Sequence, residues 1–273
     1  MLKGFNYPLT PKGKSTLNPR PPWYYSADFL SIEFWSDPSA VAAVLPPGVD
    51  PDSVANGHGN ALFYDWQFSG DNEEYLDPAR YQYREFFLLV DALYEGKAVS
   101  YCPYIFVDND AAIARGWTQG YPKWLGQVFQ TRYYAATGKA GPALARGSKF
   151  AGSLTAAGQG AHPAAQRLAE ALVTLKEPVT DPSLLKQRPI VNLLHCPRLA
   201  ADRQDEPAIH ELVENVPDDL KIEQAWIGEG SLTLPSCRGE ELSDLAPVRC
   251  DKGIRASMAY VVDDLRTLRD LSK

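Results

Sequence analysis

The tetrapeptide Tyr121-Pro122-Lys123-Trp124 sets a lysine in a rigid, aromatic-flanked turn. An ordinary lysine has a pKa of about 10.4, so at neutral pH it is protonated and inert as a nucleophile. Burial disfavours the ammonium and lowers that value, by up to ~3–5 units when it is complete. Trp117, Tyr121 and Trp124 are the apolar residues at hand to provide it. A lysine held neutral in this way attacks a ketone and forms an imine. Most lysines are solvated surface groups. A preceding proline and three neighbouring rings set Lys123 apart from that majority.

The second group is Glu85, within Tyr81-Gln82-Tyr83-Arg84-Glu85-Phe86-Phe87. In a strand, Tyr81, Tyr83 and Glu85 would share one face, with Arg84 and Phe86 on the other. A carboxyl among aromatic rings suits general acid–base work. The plainer alternative is an exposed glutamate paired with a neighbouring strand.

Other motifs carry less. Gly13-Lys14-Ser15-Thr16 resembles the end of a phosphate loop, but Pro8 stands where the first glycine should be and no strand precedes it. His58, His162, His195 and His210 are widely spaced in the chain and lack the clustering of a zinc site, so no metal is expected. There is no GxSxG elbow and no glycine-rich dinucleotide fingerprint after a strand. No cofactor is expected.

These residues need a scaffold, and the pattern around them is that of strands. Phe29–Trp35, Ala61–Gln67, Tyr83–Val90, Val99–Val107, Gln127–Tyr134, Lys149–Thr155, Ile190–His195, Ile209–Val216, Lys221–Ile227 and Ser231–Leu234 are aromatic or β-branched runs between turn signals. Asp37-Pro38 predicts a short helix over Ser39–Leu45, with Asp37 as its cap. Asp108 could cap one turn that stops at Gly116. Ala164–Leu175 has apolar spacing that suits a helix better than a strand. Asp263–Leu271 reads as a docked terminal helix, with Leu265, Leu268 and Leu271 at i, i+3, i+6. Residues 1–273 are read as one mainly β (α+β) domain, a mostly antiparallel curled sheet or β-barrel with short peripheral helices.

A net charge of −7 argues against a nucleic-acid surface or an anionic membrane as partner. The longest compact apolar run, Phe86–Val90, is far too short to span a bilayer. Cys102, Cys196, Cys237 and Cys250 show no CxxC spacing and read as reduced thiols of a cytoplasmic protein.

The run Phe106-Val107-Asp108-Asn109-Asp110-Ala111-Ala112-Ile113-Ala114-Arg115-Gly116, followed by Gly120-Tyr121-Pro122-Lys123, resembles the core signature of the acetoacetate decarboxylases. Pro19-Arg20, Tyr83-Arg84-Glu85, Glu223-Gln224-Ala225-Trp226 with Gly228, and Asp244-Leu245-Ala246-Pro247-Val248 extend the resemblance over nearly the whole chain. It implies a β-barrel-like fold, homo-oligomers, a Schiff-base lysine at Lys123 and an acid/base glutamate at Glu85. Acetoacetate decarboxylase is itself the known example of a lysine activated by desolvation or a neighbouring cation.

The departures from the family pattern point elsewhere than decarboxylation. Trp124 replaces the second lysine of the family's "PKK", which leaves hydrophobic burial alone to activate Lys123. Trp117-Thr118 replaces the Arg-Glu of "GRE". The family's N-terminal arginine falls near Ser26-Ala27 and is absent. Its second glutamate, expected around Leu62–Tyr64, has only Asp65 as a substitute. The pattern is similar to that of pyruvate aldolase-dehydratases from bacterial secondary metabolism. On that reading a small oxo acid and an aldehyde are the partners. Lys123 forms the imine and Glu85 moves protons, while Tyr83, Gln119 and Tyr260 orient the substrate. Trp117 and Trp124 would suit an aromatic or apolar aldehyde. Decarboxylation of a 3-oxo acid is the alternative, and a binding barrel without chemistry is a third reading.

Overall fold

Glu85 and Lys123 enter the protein on different strands, and strand register brings them together. The computed structural model describes residues 1–136, 138–156, 166–185 and 188–273. Its elements are β1 (Trp23–Trp35), α1 (Pro38–Val44), β2 (Asp50–Pro51), β3 (His58–Ser69), α2 (Pro78–Tyr81), β4 (Gln82–Tyr94) and β5 (Lys97–Val107). They continue with α3 (Asp110–Trp117), β6 (Lys123–Gln130), β7 (Lys149–Ala156), β8 (Arg167–Pro178), β9 (Ile190–Cys196), β10 (Ile209–Thr233) and β11 (Arg249–Asp270).

The strands form one sheet in the order β2-β4-β3-β1-β11-β10-β8-β7-β6-β5-β9. A further β4–β5 pairing closes this sheet into a ring, and β9 pairs with both β5 and β10. The architecture is therefore mainly β, curled and mostly antiparallel, with three short helices. Parallel pairing occurs between β5 and β6, where α3 supplies the crossover that parallel neighbours require.

β1, β3 and β4 are buried on both faces. Phe86, Leu88 and Val90 of β4 join one apolar cluster with Leu30, Ile32 and Phe63. Tyr83, Phe87 and Leu89 join another with Phe29, Tyr64 and Trp66. Two-sided burial explains why β4 reads as a near-continuous apolar run. The second cluster walls the cavity that holds Glu85 and Lys123.

Asp37 accepts from the Ser39 amide at 2.7 Å and caps α1, as its position before Pro38 predicts. Three expectations need correction. The described part of Ala164–Leu175 is strand β8, its Ala171, Val173 and Leu175 buried at the period of two proper to a strand. The C-terminal segment is not a helix but the end of β11, paired with β10. A register shift between Leu212 and Val213 places the extra residue opposite, at Leu268. That bulge turns a period of two into a spacing of three, and Leu268 and Leu271 pack on Val49, Val99 and Leu212. Finally, Asn109 rather than Asp108 caps α3, accepting from the Ala112 amide at 2.9 Å. Asp108 is engaged elsewhere, by the Arg84 amide at 2.7 Å.

Ile209–Val216, Lys221–Ile227 and Ser231–Leu234 merge into the single bent strand β10. Asp219, at φ of 49°, stands at the register break between the first two runs, and Gly228 and Gly230 separate the last two. Among the described residues no helix is long and apolar enough to cross a membrane.

Candidate active site

Lys123 is the first residue of β6 and pairs with Ile105 of β5, which pairs in turn with Phe87 of β4. Glu85 is two residues from Phe87, so one strand separates the two functional groups. Strands lie about 4.8 Å apart, and a lysine side chain is long enough to cross the intervening one. Its Nζ donates to Glu85 Oε2 at 2.6 Å, and both residues are buried, at 7% and 4% exposure. The other oxygen, Oε1, accepts from the Trp66 indole N–H at 3.1 Å. Glu85 is thus held from both sides by buried donors.

The approach to Lys123 is built by backbone. After α3, the amides of Gln119 and Tyr121 both donate to the Gly116 carbonyl, at 2.9 and 3.0 Å. Gly120 makes the reversal at φ +78°, a conformation that favours glycine. Gly116 serves a different need: a Cβ there would collide with Cγ, Cδ and Cε of Lys123. The lysine stem lies directly across the helix end.

Burial lowers the pKa of the Lys123 amine; Glu85 opposes this, and the charge of Arg115 adds to the lowering. Arg115 corrects the expectation that burial acts alone. It precedes Lys123 by two helical turns' worth of chain and is 1% exposed. Its Nη1 donates to the buried Asn18 at 3.0 Å, and its guanidinium lies 3.8 Å from the Phe68 ring centroid. Nε and Nη2 are buried without a hydrogen-bond partner.

Tyrosines surround the pair. Tyr25, Tyr83, Tyr121 and Tyr260 line the cavity, and burial pushes all four phenols upward, so they remain neutral donors. Tyr25 stacks on Tyr260 with centroids 4.9 Å apart. Gln119 also lines the cavity, its Nε2 donating to the Arg115 carbonyl at 3.2 Å and its own carbonyl accepting from Asn215 at 3.3 Å.

Lys123, Glu85, Gln119, Tyr83 and Tyr260 therefore meet around one cavity of about 1140 Å³. Trp117 and Trp124 do not line it and are 61% and 57% exposed. Trp124 follows Lys123 in β6, so strand alternation turns it to the opposite face. Trp117 ends α3, and its indole N–H donates to the Lys123 carbonyl at 3.0 Å, which fixes the lysine backbone instead of contacting a substrate. Tyr121, by contrast, does shelter Lys123. Asp65 does not stand in for the family's second glutamate; it pairs with Arg132 at 2.8 Å, away from the cavity.

Sequence reading overlooked Arg115, Tyr25 and Trp66. Tyr25 and Trp66 had a usable signal, since each lies on a run of alternating aromatic residues. Among the described residues no group of three or more His, Cys, Asp or Glu gathers to hold a metal. His195 and His210, far apart in sequence, oppose each other across β9 and β10 with Nδ1 atoms 3.0 Å apart. His162 lies outside the described residues.

The chain that builds this curled sheet matches a known family. The profile of acetoacetate decarboxylase (ADC) covers residues 6–271. The chain belongs to the acetoacetate decarboxylase family.

Within that fold it is similar to the enduracididine biosynthesis enzyme MppR. The MppR structure complexed with the condensation product of pyruvate and imidazole 4-carboxaldehyde is 32% identical, with a TM-score of 0.89 and coverage of 100% of this chain and 98% of that one. The MppR complex with pyruvate is also 32% identical, at a TM-score of 0.86 and 99% coverage of both chains. An acetoacetate decarboxylase-like enzyme from Sphingomonas wittichii RW1 shares the fold at 24% identity and a TM-score of 0.84, with 98% of this chain and 100% of that one covered. No curated protein matches the chain.

Proposed function

We propose that this family member is a Schiff-base lyase that condenses pyruvate with an aldehyde and dehydrates the aldol. The observation that carries the proposal is the buried Lys123–Glu85 pair, at 2.6 Å, on the wall of one cavity. Transfer of the ammonium proton to Glu85 within the pair leaves a neutral amine. That amine adds to the ketone carbon of pyruvate, Glu85 returns its proton to the departing hydroxyl, and loss of water gives the protonated imine and a carboxylate at Glu85. Glu85 then takes a proton from the methyl carbon, and the electron pair moves into an enamine with the imine nitrogen as sink. The enamine carbon attacks the aldehyde, whose oxygen is protonated. Loss of that hydroxyl as water and hydrolysis of the imine free the unsaturated 2-oxo acid and regenerate Lys123.

The choice between aldol chemistry and decarboxylation turns on the carboxylate. The neutral donors of Tyr83 and Gln119, both on the cavity wall, suit a carboxylate that is kept. MppR, at 32% identity, binds both pyruvate and a pyruvate–aldehyde condensation product, which supports the same reading.

Two incubations decide it, one with acetoacetate and one with pyruvate plus an aromatic aldehyde. The expected result is an unsaturated 2-oxo acid from the second and slow or no CO₂ release from the first. Rapid CO₂ release without condensation product would establish a decarboxylase instead. Borohydride reduction in the presence of pyruvate should leave one 1-carboxyethyl group on the wild type and none on Lys123→Ala. No adduct with either oxo acid would leave a binding barrel without imine chemistry.

A further inference from the structure

The cavity extends well beyond what the imine centre needs. At about 1140 Å³ it exceeds the usual range of ~300–1,000 Å³ for small-molecule sites, whereas pyruvate is among the smallest oxo acids. The strands give its layout. On β4 the residues facing it are, in order, Tyr83, Glu85, Phe87, Leu89 and Asp91. From Glu85 to Asp91 is six residues, or about 20 Å of strand. Past Val262, the facing residues of β11 follow the same order from the same end: Tyr260, Met258, Ile254 and then Lys252. From Glu85 and from Tyr260 onward, both strands therefore read reactive or phenolic, apolar, apolar, charged.

The charged far end is largely paired internally, Glu33 Oε2 having only Lys252 at 4.0 Å. His58 bridges Asp91 at 2.7 Å and Glu33 at 3.1 Å. Asp91 also receives Ser100 at 3.1 Å and Arg188 at 3.2 Å, while Arg188 reaches Asp52 at 2.7 Å. This network ties Arg188 to β4 at that end. Its acceptors and donors face one another, so a polar ligand tail would have to break charge-assisted bonds to be received. Between the two ends Phe29 of β1, Phe87, Leu89, Ile254 and Met258 offer a mainly apolar belt, with Ser31 of β1 the polar residue set beside Ile254.

We infer that the aldehyde partner carries an extended apolar body, alkyl or aryl, that lies along the belt of Phe29, Phe87, Leu89, Ile254 and Met258. The inference rests on the imine reading, because the belt matters to catalysis only if Lys123 holds the other substrate. The belt selects by length and by the absence of a charged tail.

The test is a series of straight-chain aldehydes of increasing length, assayed with pyruvate at saturation. KM should fall about three- to fourfold per added methylene until the belt is filled, as expected for burial of one CH₂. Terminal carboxylate or ammonium groups should raise KM at least tenfold over the methyl-ended aldehyde of equal length. In Ile254→Trp, which fills the belt, the gradient should stop at shorter chains. Binding of the same aldehydes without pyruvate, followed by fluorescence of the cavity's Trp66, gives a second readout should Ile254→Trp fail to fold. A KM or affinity independent of length, or improved by a charged tail, would overturn the inference. Pyruvate trapping by borohydride needs no aldehyde, so its failure would count against the imine reading and not against the belt.

Discussion

Glu85 accepts a hydrogen bond from Lys123 at 2.6 Å on one oxygen and from Trp66 at 3.1 Å on the other, with all three side chains buried. Such a pair is in tension with itself. The contact favours the ammonium–carboxylate form, while burial penalises both charges. What results is a proton shared between two groups that can each give it up, as an amine that must be neutral to attack requires.

Breaking the pair from either side leaves the other group buried without its partner. Lys123→Met and Glu85→Gln should therefore each destabilise the fold, by about 3–5 kcal/mol if the surviving charge stays ionised and less if it neutralises. The double variant should cost less than the sum. Denaturant unfolding of all four proteins checks this, and strict additivity would mean that the two residues are not coupled.

Glu85→Gln keeps the shape of the side chain and an oxygen for the Trp66 indole. It removes the group that moves protons. Borohydride trapping with pyruvate should remain detectable, while condensation turnover should fall by about 10²–10⁴-fold. Unimpaired turnover would take Glu85 out of the proton-transfer role and point to a cavity tyrosine.

Gly116→Ala is the smallest change that displaces the nucleophile. The added methyl would occupy the space of the Lys123 stem, whose backbone is fixed by β6 pairing and by the Trp117 indole. The stem must swing away from Glu85. Imine trapping should slow by about 100-fold, as for a reacting group misplaced by about 1 Å. Circular dichroism and melting should still report a folded protein, with overpacking costing about 1–3 kcal/mol. Wild-type trapping rates in this variant would show that the stem has room to spare.

The sequence made the two reacting residues legible because their types were out of place: a lysine after a proline among rings, a glutamate inside an aromatic run. It also made the curled β architecture legible, because recurrent β-branched and aromatic runs leave little room for helices. β8 and the end of β11 were not legible as strands. Alanine and leucine favour helix in β8, and in β11 a bulge at Leu268 imposes a helical spacing. Arg115 was hidden for another reason. A basic residue in the last turn of a helix is the ordinary complement of the helix dipole. Only the tertiary contacts with Phe68 and Asn18 reveal that it points inward. Trp124 misled because closeness in sequence to Lys123 is, in a strand, separation to the opposite face.

Arg115 sets the last prediction, which concerns pH. Its charge adds to burial in lowering the Lys123 pKa, so Arg115→Met should let that pKa rise. The rate of borohydride trapping, which needs the free amine, should then have its acidic limb displaced to higher pH, while Arg115→Lys should largely restore the wild-type profile. A purely structural role would lower the plateau without moving the limb. Stability gives a second readout with a definite sign. Because the folded pKa lies below the ordinary value of 10.5, the unfolded chain binds more protons than the folded one between those two values. Stability contributed by this group therefore rises with pH across that window. Arg115→Met narrows the window, so its unfolding free energy should gain less on going from neutral to alkaline pH than that of the wild type. An unchanged trapping profile together with an unchanged pH slope of stability would remove Arg115 from the electrostatics of Lys123.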